Sequence, residues 1–131
     1  MNFASVRLVT QRFKCVVDFY QTLCAVEPRH LAEGFAEIHL DGIVLAISDE
    51  RLVRLYNNGL ACAAANRSAI LEFEVDDVEA ALVLADKANA EVVMPITLMP
   101  WGNTSALLRD PDGTLVNIFS RAKLELPRLG S

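Results

Sequence analysis

The chain has 131 residues, 53% of them hydrophobic and 22% charged, with a formal net charge of −5 and a pI near 4.9. That length fits one domain, or two small units sharing a core, and it buries roughly two-thirds of its unfolded surface without staples. The apolar content excludes disorder, the acidic balance argues against nucleic acid as a partner, and charges interrupt every apolar run before the roughly 20 residues a membrane span needs. The start, Met1 to Arg7, shows neither the basic nor the apolar region of a secretory leader, so a soluble, cytoplasmic protein is expected. Cys15, Cys24 and Cys62 form an odd set of three without C-x-x-C spacing. They read as buried or incidental thiols, not as a disulfide framework or a zinc knuckle.

In chain order, Val6 and Leu8 alternate as on one face of a strand, and Val16, Phe19, Tyr20 and Leu23 then fall at i, i+3, i+4, i+7, which predicts a helix. A short strand is expected near Pro28–Ala32. Phe35–Leu40 and Ile43–Ile47 follow as a hairpin turning at Asp41-Gly42, a strong turn signal between alternating apolar runs. The stretch Asn57–Arg67, with Asn57-Asn58-Gly59, reads as a linker. Leu71, Phe73 and Val75 then predict a strand, and Val78, Ala81, Leu82 and Ala85 a second helix, with Asp76 or Asp77 as N-cap and Glu79 favourable in the first turn. Another short strand is expected near Val92–Thr97. Ser105–Arg109 turns at Asp110-Pro111-Asp112-Gly113 into Thr114–Phe119. The tail after Arg121 has no pattern and is expected to be a mobile end.

The two halves are copies of one unit: Ala4–Val17 aligns with Ala69–Leu82, and the two Asp-Gly hairpins correspond. Each half reads β-α-β-β-β. The fold class is therefore α+β, with a first βαβββ module at 1–56, a linker at 57–67, a second βαβββ module at 68–121 and a tail at 122–131. A four-stranded sheet with a helix on one face leaves its other face bare, so a cleft between two curved sheets is expected. The high apolar fraction of a small chain also favours a partner subunit, and a homodimer is expected.

Certain residues resemble the vicinal oxygen chelate superfamily, which includes glyoxalase I, extradiol dioxygenases and bleomycin-resistance proteins. They are Asp18-Phe19-Tyr20-Gln21-Thr22-Leu23 in the first helix and Glu72-Phe73-Glu74-Val75-Asp76-Asp77-Val78 opening the second module. Met99-Pro100-Trp101-Gly102-Asn103 and Arg109-Asp110-Pro111-Asp112-Gly113-Thr114-Leu115-Val116-Asn117-Ile118 complete the set. The resemblance spans about residues 2–120, and its Asp-Pro-Asp-Gly hairpin is the most specific part. It implies a cleft that usually holds a divalent metal through His, Gln or Glu from four strands. Those positions fall here on Ser5, Ala46, Ile70 and Asn117. None is an imidazole or a carboxylate, so neither a metal nor another cofactor is expected.

With those positions facing inward, strand alternation puts Arg7 and Glu72 in the cleft beside Ser5 and Asn117, among Val44, Ile70, Leu115 and Phe119. Arg7 and Glu72 occupy equivalent places in the repeat. Either they form a salt bridge across the module interface, or Arg7 binds an anionic ligand group and Glu72 acts as a base. Asn117 either caps a hydrogen-bond network or touches a ligand. Trp101 either stacks on a ligand from its loop or anchors that loop by burial. His39 shares a strand face with Glu37 as a surface pair, and His30 reads as surface.

Three functions stand at this point. One is a metal-free binder enclosing a small organic molecule through Ser5, Arg7, Glu72, Trp101 and Asn117, in sequestration or resistance. A second is a lyase or dioxygenase-type enzyme of the same superfamily, with Glu72 as candidate base or an unrecognised metal site. A regulatory or structural dimer whose cleft is filled by its own side chains is the third.

Overall fold

The computed structural model describes residues 1–122; the rest of the tail expected to be mobile lies outside the described residues. The first half runs β1 (Ser5–Thr10), α1 (Phe13–Cys24), β2 (Arg29–Ala32), β3 (Phe35–Leu40), β4 (Ile43–Asp49) and α2 (Glu50–Tyr56). The second runs β5 (Ile70–Glu74), α3 (Val78–Lys87), β6 (Glu91–Leu98), β7 (Thr104–Arg109) and β8 (Leu115–Ser120). Two four-stranded mixed sheets result, ordered β1-β4-β3-β2 and β5-β8-β7-β6, which makes the chain α+β. In each, the first strand pairs in parallel with the last, and the remaining neighbours are antiparallel. Gly42 and Gly113 close the two central hairpins at φ of 80° and 84°, a conformation open to glycine at no steric cost.

The helices pack on equivalent faces. α1 buries Val16, Val17, Phe19, Tyr20 and Leu23, and α3 buries Val78, Ala81 and Ala85. Asp77 is the N-cap of α3, its side chain accepting from the Ala80 N–H at 3.2 Å. Beneath the helices lie Ala36, Ile38, Leu45 and Ile47 from one sheet and Ala106, Leu108, Val116 and Ile118 from the other, in a single continuous cluster. Full burial of each such large aliphatic side chain contributes about 1.5–3 kcal/mol before entropy is counted.

The two halves are locked together on the helix side. α1 packs on α3, and the Tyr20 hydroxyl donates to Asp110 Oδ2 at 2.7 Å, both groups buried. The other oxygen, Oδ1, accepts from the Asp112 and Thr114 N–H groups at 2.9 Å, so the Asp-Pro-Asp-Gly turn wraps around the carboxylate that holds the tyrosine. Tyr20 also stacks on Phe73 of the other half, with ring centroids 6.4 Å apart. Burial first, then the adjacent Asp110 charge, pushes the Tyr20 phenol well above its usual range.

Helix α2 is absent from the sequence expectation. Its seven residues bury only Val53, too few apolar positions to show a period. It forms because Asp49 caps it, accepting from the Arg51 N–H at 2.9 Å, with Glu50 in the first turn and Arg54 in the last. The short strand expected near Pro28–Ala32 appears as β2, while the one expected near Val92–Thr97 is β6, which at eight residues is not short. Both are edge strands, and β6 carries two register shifts.

Candidate functional site

Strand register fixes which side chains share a face. Ser5 lies opposite Val44 and Arg7 opposite Ala46; Ile70 lies opposite Leu115, Glu72 opposite Asn117 and Glu74 opposite Phe119. All of these point away from the face carrying α1 or α3, because they alternate with the buried helix-facing residues Leu45, Ile47, Val116 and Ile118. Each sheet thus has a second face, and the two are not treated alike.

On the first sheet, Ala46 and Ser48 are buried although they point away from α1. The cover is α2, which turns back at Asp49 and packs on β4 and β1 with Val53 inward. On the second sheet no described helix covers the corresponding face: Ile70 is 46% exposed, and Leu107, Leu115, Asn117 and Phe119 stay half-buried. The expected cleft between two bare sheets is therefore closed on one side by the chain's own helix. What remains is the seam between β1 and β5, together with the open face of the second sheet.

Arg7 and Glu72 are not brought together. Arg7 Nη2 donates to Asn57 Oδ1 at 3.0 Å, while Glu72 Oε1 accepts from Asn117 Nδ2 at 3.2 Å. Among the described residues the salt bridge between them is not formed; each has a local amide partner instead. Glu72 is exposed and so lacks the desolvation that a carboxylate base draws on. Ser5 is exposed at the start of β1. Trp101 is 70% exposed on the β6–β7 turn, where the Met99 N–H donates to the Asn103 carbonyl at 2.7 Å. That exposure rules out its role as a buried anchor. His39 Nε2 lies 2.9 Å from Glu37 Oε1 as a half-buried pair, and His30 packs edge-on against Phe13. Cys15 and Cys62 are exposed, not buried, and burial raises the pKa of the half-buried Cys24 thiol to about 11.

The seam holds a chamber at each end. One, of about 230 Å³, lies among Val6, Ile43, Val44, Ile70, Leu71 and Phe73, with Glu72 as its acidic group. It runs on into a wider groove bordered by Asp41, Glu74, Asp76, Phe119 and Arg121. There Arg121 pairs with Glu74 at 3.1 Å and lies over the Phe119 ring, 5.4 Å from its centroid. The other chamber, of about 220 Å³, has Arg7 at its wall and Val6, Val9 and Leu71 as apolar lining. Its roof is the linker, from Ala61 to Asn66, held to α2 where Glu50 Oε2 accepts the Ala63 N–H at 2.7 Å. That hydrogen bond, followed by one from Gln11, holds the Glu50 carboxyl below its usual range. The linker's run of small residues, Ala61 to Ala65, lets it lie close to the seam.

A divalent metal does not fit the four positions the resemblance points to. Ala46 and Ile70 offer no donor atom, Ala46 is buried, and the Asn117 amide is engaged with Glu72. Among the described residues, no three His, Cys, Asp or Glu side chains gather in a way that could hold a metal ion. No helix among them is long and apolar enough to cross a membrane.

The model of the Glyoxalase/Bleomycin resistance protein/Dioxygenase superfamily matches residues 3–118. The chain belongs to that superfamily. Among solved structures, a glyoxalase/bleomycin resistance protein/dioxygenase family enzyme from Burkholderia phytofirmans PsJN superposes with a TM-score of 0.81 at 16% identity, covering 92% of this chain and 98% of that one. A glyoxalase-related enzyme from Fulvimarina pelagi gives 0.81 at 19% identity, covering 100% and 96%. TioX from Micromonospora sp. ML1 gives 0.72 at 18% identity, covering 92% and 99%. No curated protein matches the chain. At these identities the structural likeness establishes the superfamily fold, and function has to be argued from the site.

Proposed function

We propose that this glyoxalase/bleomycin-resistance-like chain binds a small organic molecule in the seam between its two modules, by enclosure and without a metal ion. The observation that carries the reading is the pair of chambers lined by apolar side chains of both halves, with Arg7 at one end and Glu72 at the other. Apolar walls with a few convergent polar groups are the usual make-up of a ligand pocket. Burying the ligand's apolar surface there supplies about 25 cal/mol per Å² of driving force. Arg7 and Glu72 at the chamber walls orient the ligand, with Asn117 holding Glu72 in place, and the exposed Trp101 ring offers a face to stack on where a ligand reaches the open sheet; Ser5 lines neither chamber. Such binding suits sequestration or resistance, which needs no nucleophile. A homodimer belongs to the same reading, because a second copy would cover Ile70, Leu107, Leu115 and Phe119.

Native mass spectrometry with elemental analysis, on protein purified without tag or chelator, tests this. The expected result is a dimer mass without stoichiometric metal and a melting temperature unmoved by chelator. One nickel, zinc, iron or manganese per site would overturn it.

A further inference from the structure

A third pocket, of about 410 Å³, lies between the linker and the β7–β8 turn. Asn66 and Arg67 line it from the linker; Arg109, Asp112, Gly113 and Leu115 line it from the second module. Two guanidinium groups thus border one small space. Arg109 Nη1 donates to the Gly113 carbonyl at 3.0 Å, which ties that guanidinium to the turn and leaves its remaining donors available. Among the described residues, no acid stands within ion-pair distance of either Arg67 or Arg109. The one carboxylate in the lining, Asp112, is engaged by Arg12 at 3.9 Å. In a chain of net charge −5, two arginines line this cavity against one carboxylate that already has Arg12 beside it, which leaves the lining an excess of positive charge for a negative group.

The pocket is continuous with the Arg7 chamber, sharing Ala64, Asn66, Ala69 and Asp112 with it. A molecule with an anionic head among the arginines can therefore lay an apolar body against Val6 and Leu71. We infer that the ligand is a small organic acid, its carboxylate or phosphate group held between Arg67 and Arg109 and its apolar part in the seam. This rests on the seam-binding reading above and adds the chemical class. Both arginines are exposed, so the head contributes in a salt-sensitive way, while the seam contribution does not depend on salt.

Calorimetric titration at fixed ionic strength with inorganic phosphate, 2-naphthoate and 2-naphthamide separates the two contributions. The expected result is naphthoate binding at least tenfold tighter than naphthamide. Arg67→Gln and Arg109→Gln each weaken naphthoate by roughly tenfold, and the double variant loses the preference for the acid. Lys14→Gln, on the exposed surface of α1, leaves it unchanged and controls for net charge. Equal binding of acid and amide, or a double variant that keeps the preference, overturns the organic-acid inference while the seam reading stands. Naphthoate binding no tighter than phosphate, with the arginine dependence retained, removes the seam reading and leaves an anion site. Failure of all three probes to bind overturns both.

Discussion

The two modules agree on one face and part on the other. Facing the helices, Leu45 and Ile47 correspond to Val116 and Ile118, and all four are buried. Facing away, Ala46 and Ser48 correspond to Asn117 and Phe119: two small side chains roofed by α2 in one half, an amide and an aromatic left uncovered in the other. The helix-facing positions are constrained by packing, where a change of one methylene is felt. The opposite face is free to diverge: one half adds further burial there, and the other leaves it open among the described residues. The residues proposed to bind lie along the seam and on the second half.

The largest effects should be equal in the two halves. Ile47→Ala and Ile118→Ala are each expected to cost about 2–5 kcal/mol in urea denaturation; a much smaller loss at either position would break the equivalence. Val53→Ala should cost about 2 kcal/mol from lost methyl burial under α2. Leu107→Ala, on the uncovered face of the other half, should cost clearly less, and equal losses would mean that face is covered in solution. The bond joining the halves comes next. Tyr20→Phe should cost about 1–3 kcal/mol, because it leaves a buried carboxylate oxygen short of a donor.

Tyr20 and the half-buried Cys24 set an alkaline limit. The Cys24 thiol is raised from 9.0 to about 11 and the Tyr20 phenol well above 10.0, so the unfolded chain loses both protons first. Their contribution is complete below pH 9 and falls as pH rises through 9 to 11 for Cys24, then further for Tyr20. The variant carrying Cys24→Ala and Tyr20→Phe should show a flatter stability profile across that range; an unchanged slope would assign the loss elsewhere. Smallest of all, Arg7→Ala should change stability by no more than about 0.5 kcal/mol, since it gives up a single exposed hydrogen bond to Asn57.

Most of the fold was legible because its signals are local. Asp41-Gly42 and Asp110-Pro111-Asp112-Gly113 mark the hairpins, and the spacing of Val16, Phe19, Tyr20 and Leu23 marks α1. Helix α2 was not legible, since a single buried residue carries no period and what holds the helix down is the sheet beneath it. The faces on which Ser5, Arg7, Glu72 and Asn117 lie follow from alternation. Their partners do not: Asn57 reaches Arg7 from the C-cap of α2, a helix that no periodicity announces. Nor does any local pattern join Arg67 to Arg109, which are distant in sequence and meet at one pocket because the linker passes the second hairpin.

Strand β6 stands at the edge of the second sheet with Val92, Val93, Ile96 and Leu98 exposed, a composition that invites the backbone of another molecule to pair with it. Its ladder slips twice, once after Val92 and once after Met94, and Pro95 has no N–H to offer. An incoming chain would meet an interrupted row of donors and acceptors, not a template. The protein can thus keep a greasy margin next to its uncovered sheet and still resist polymerising through it.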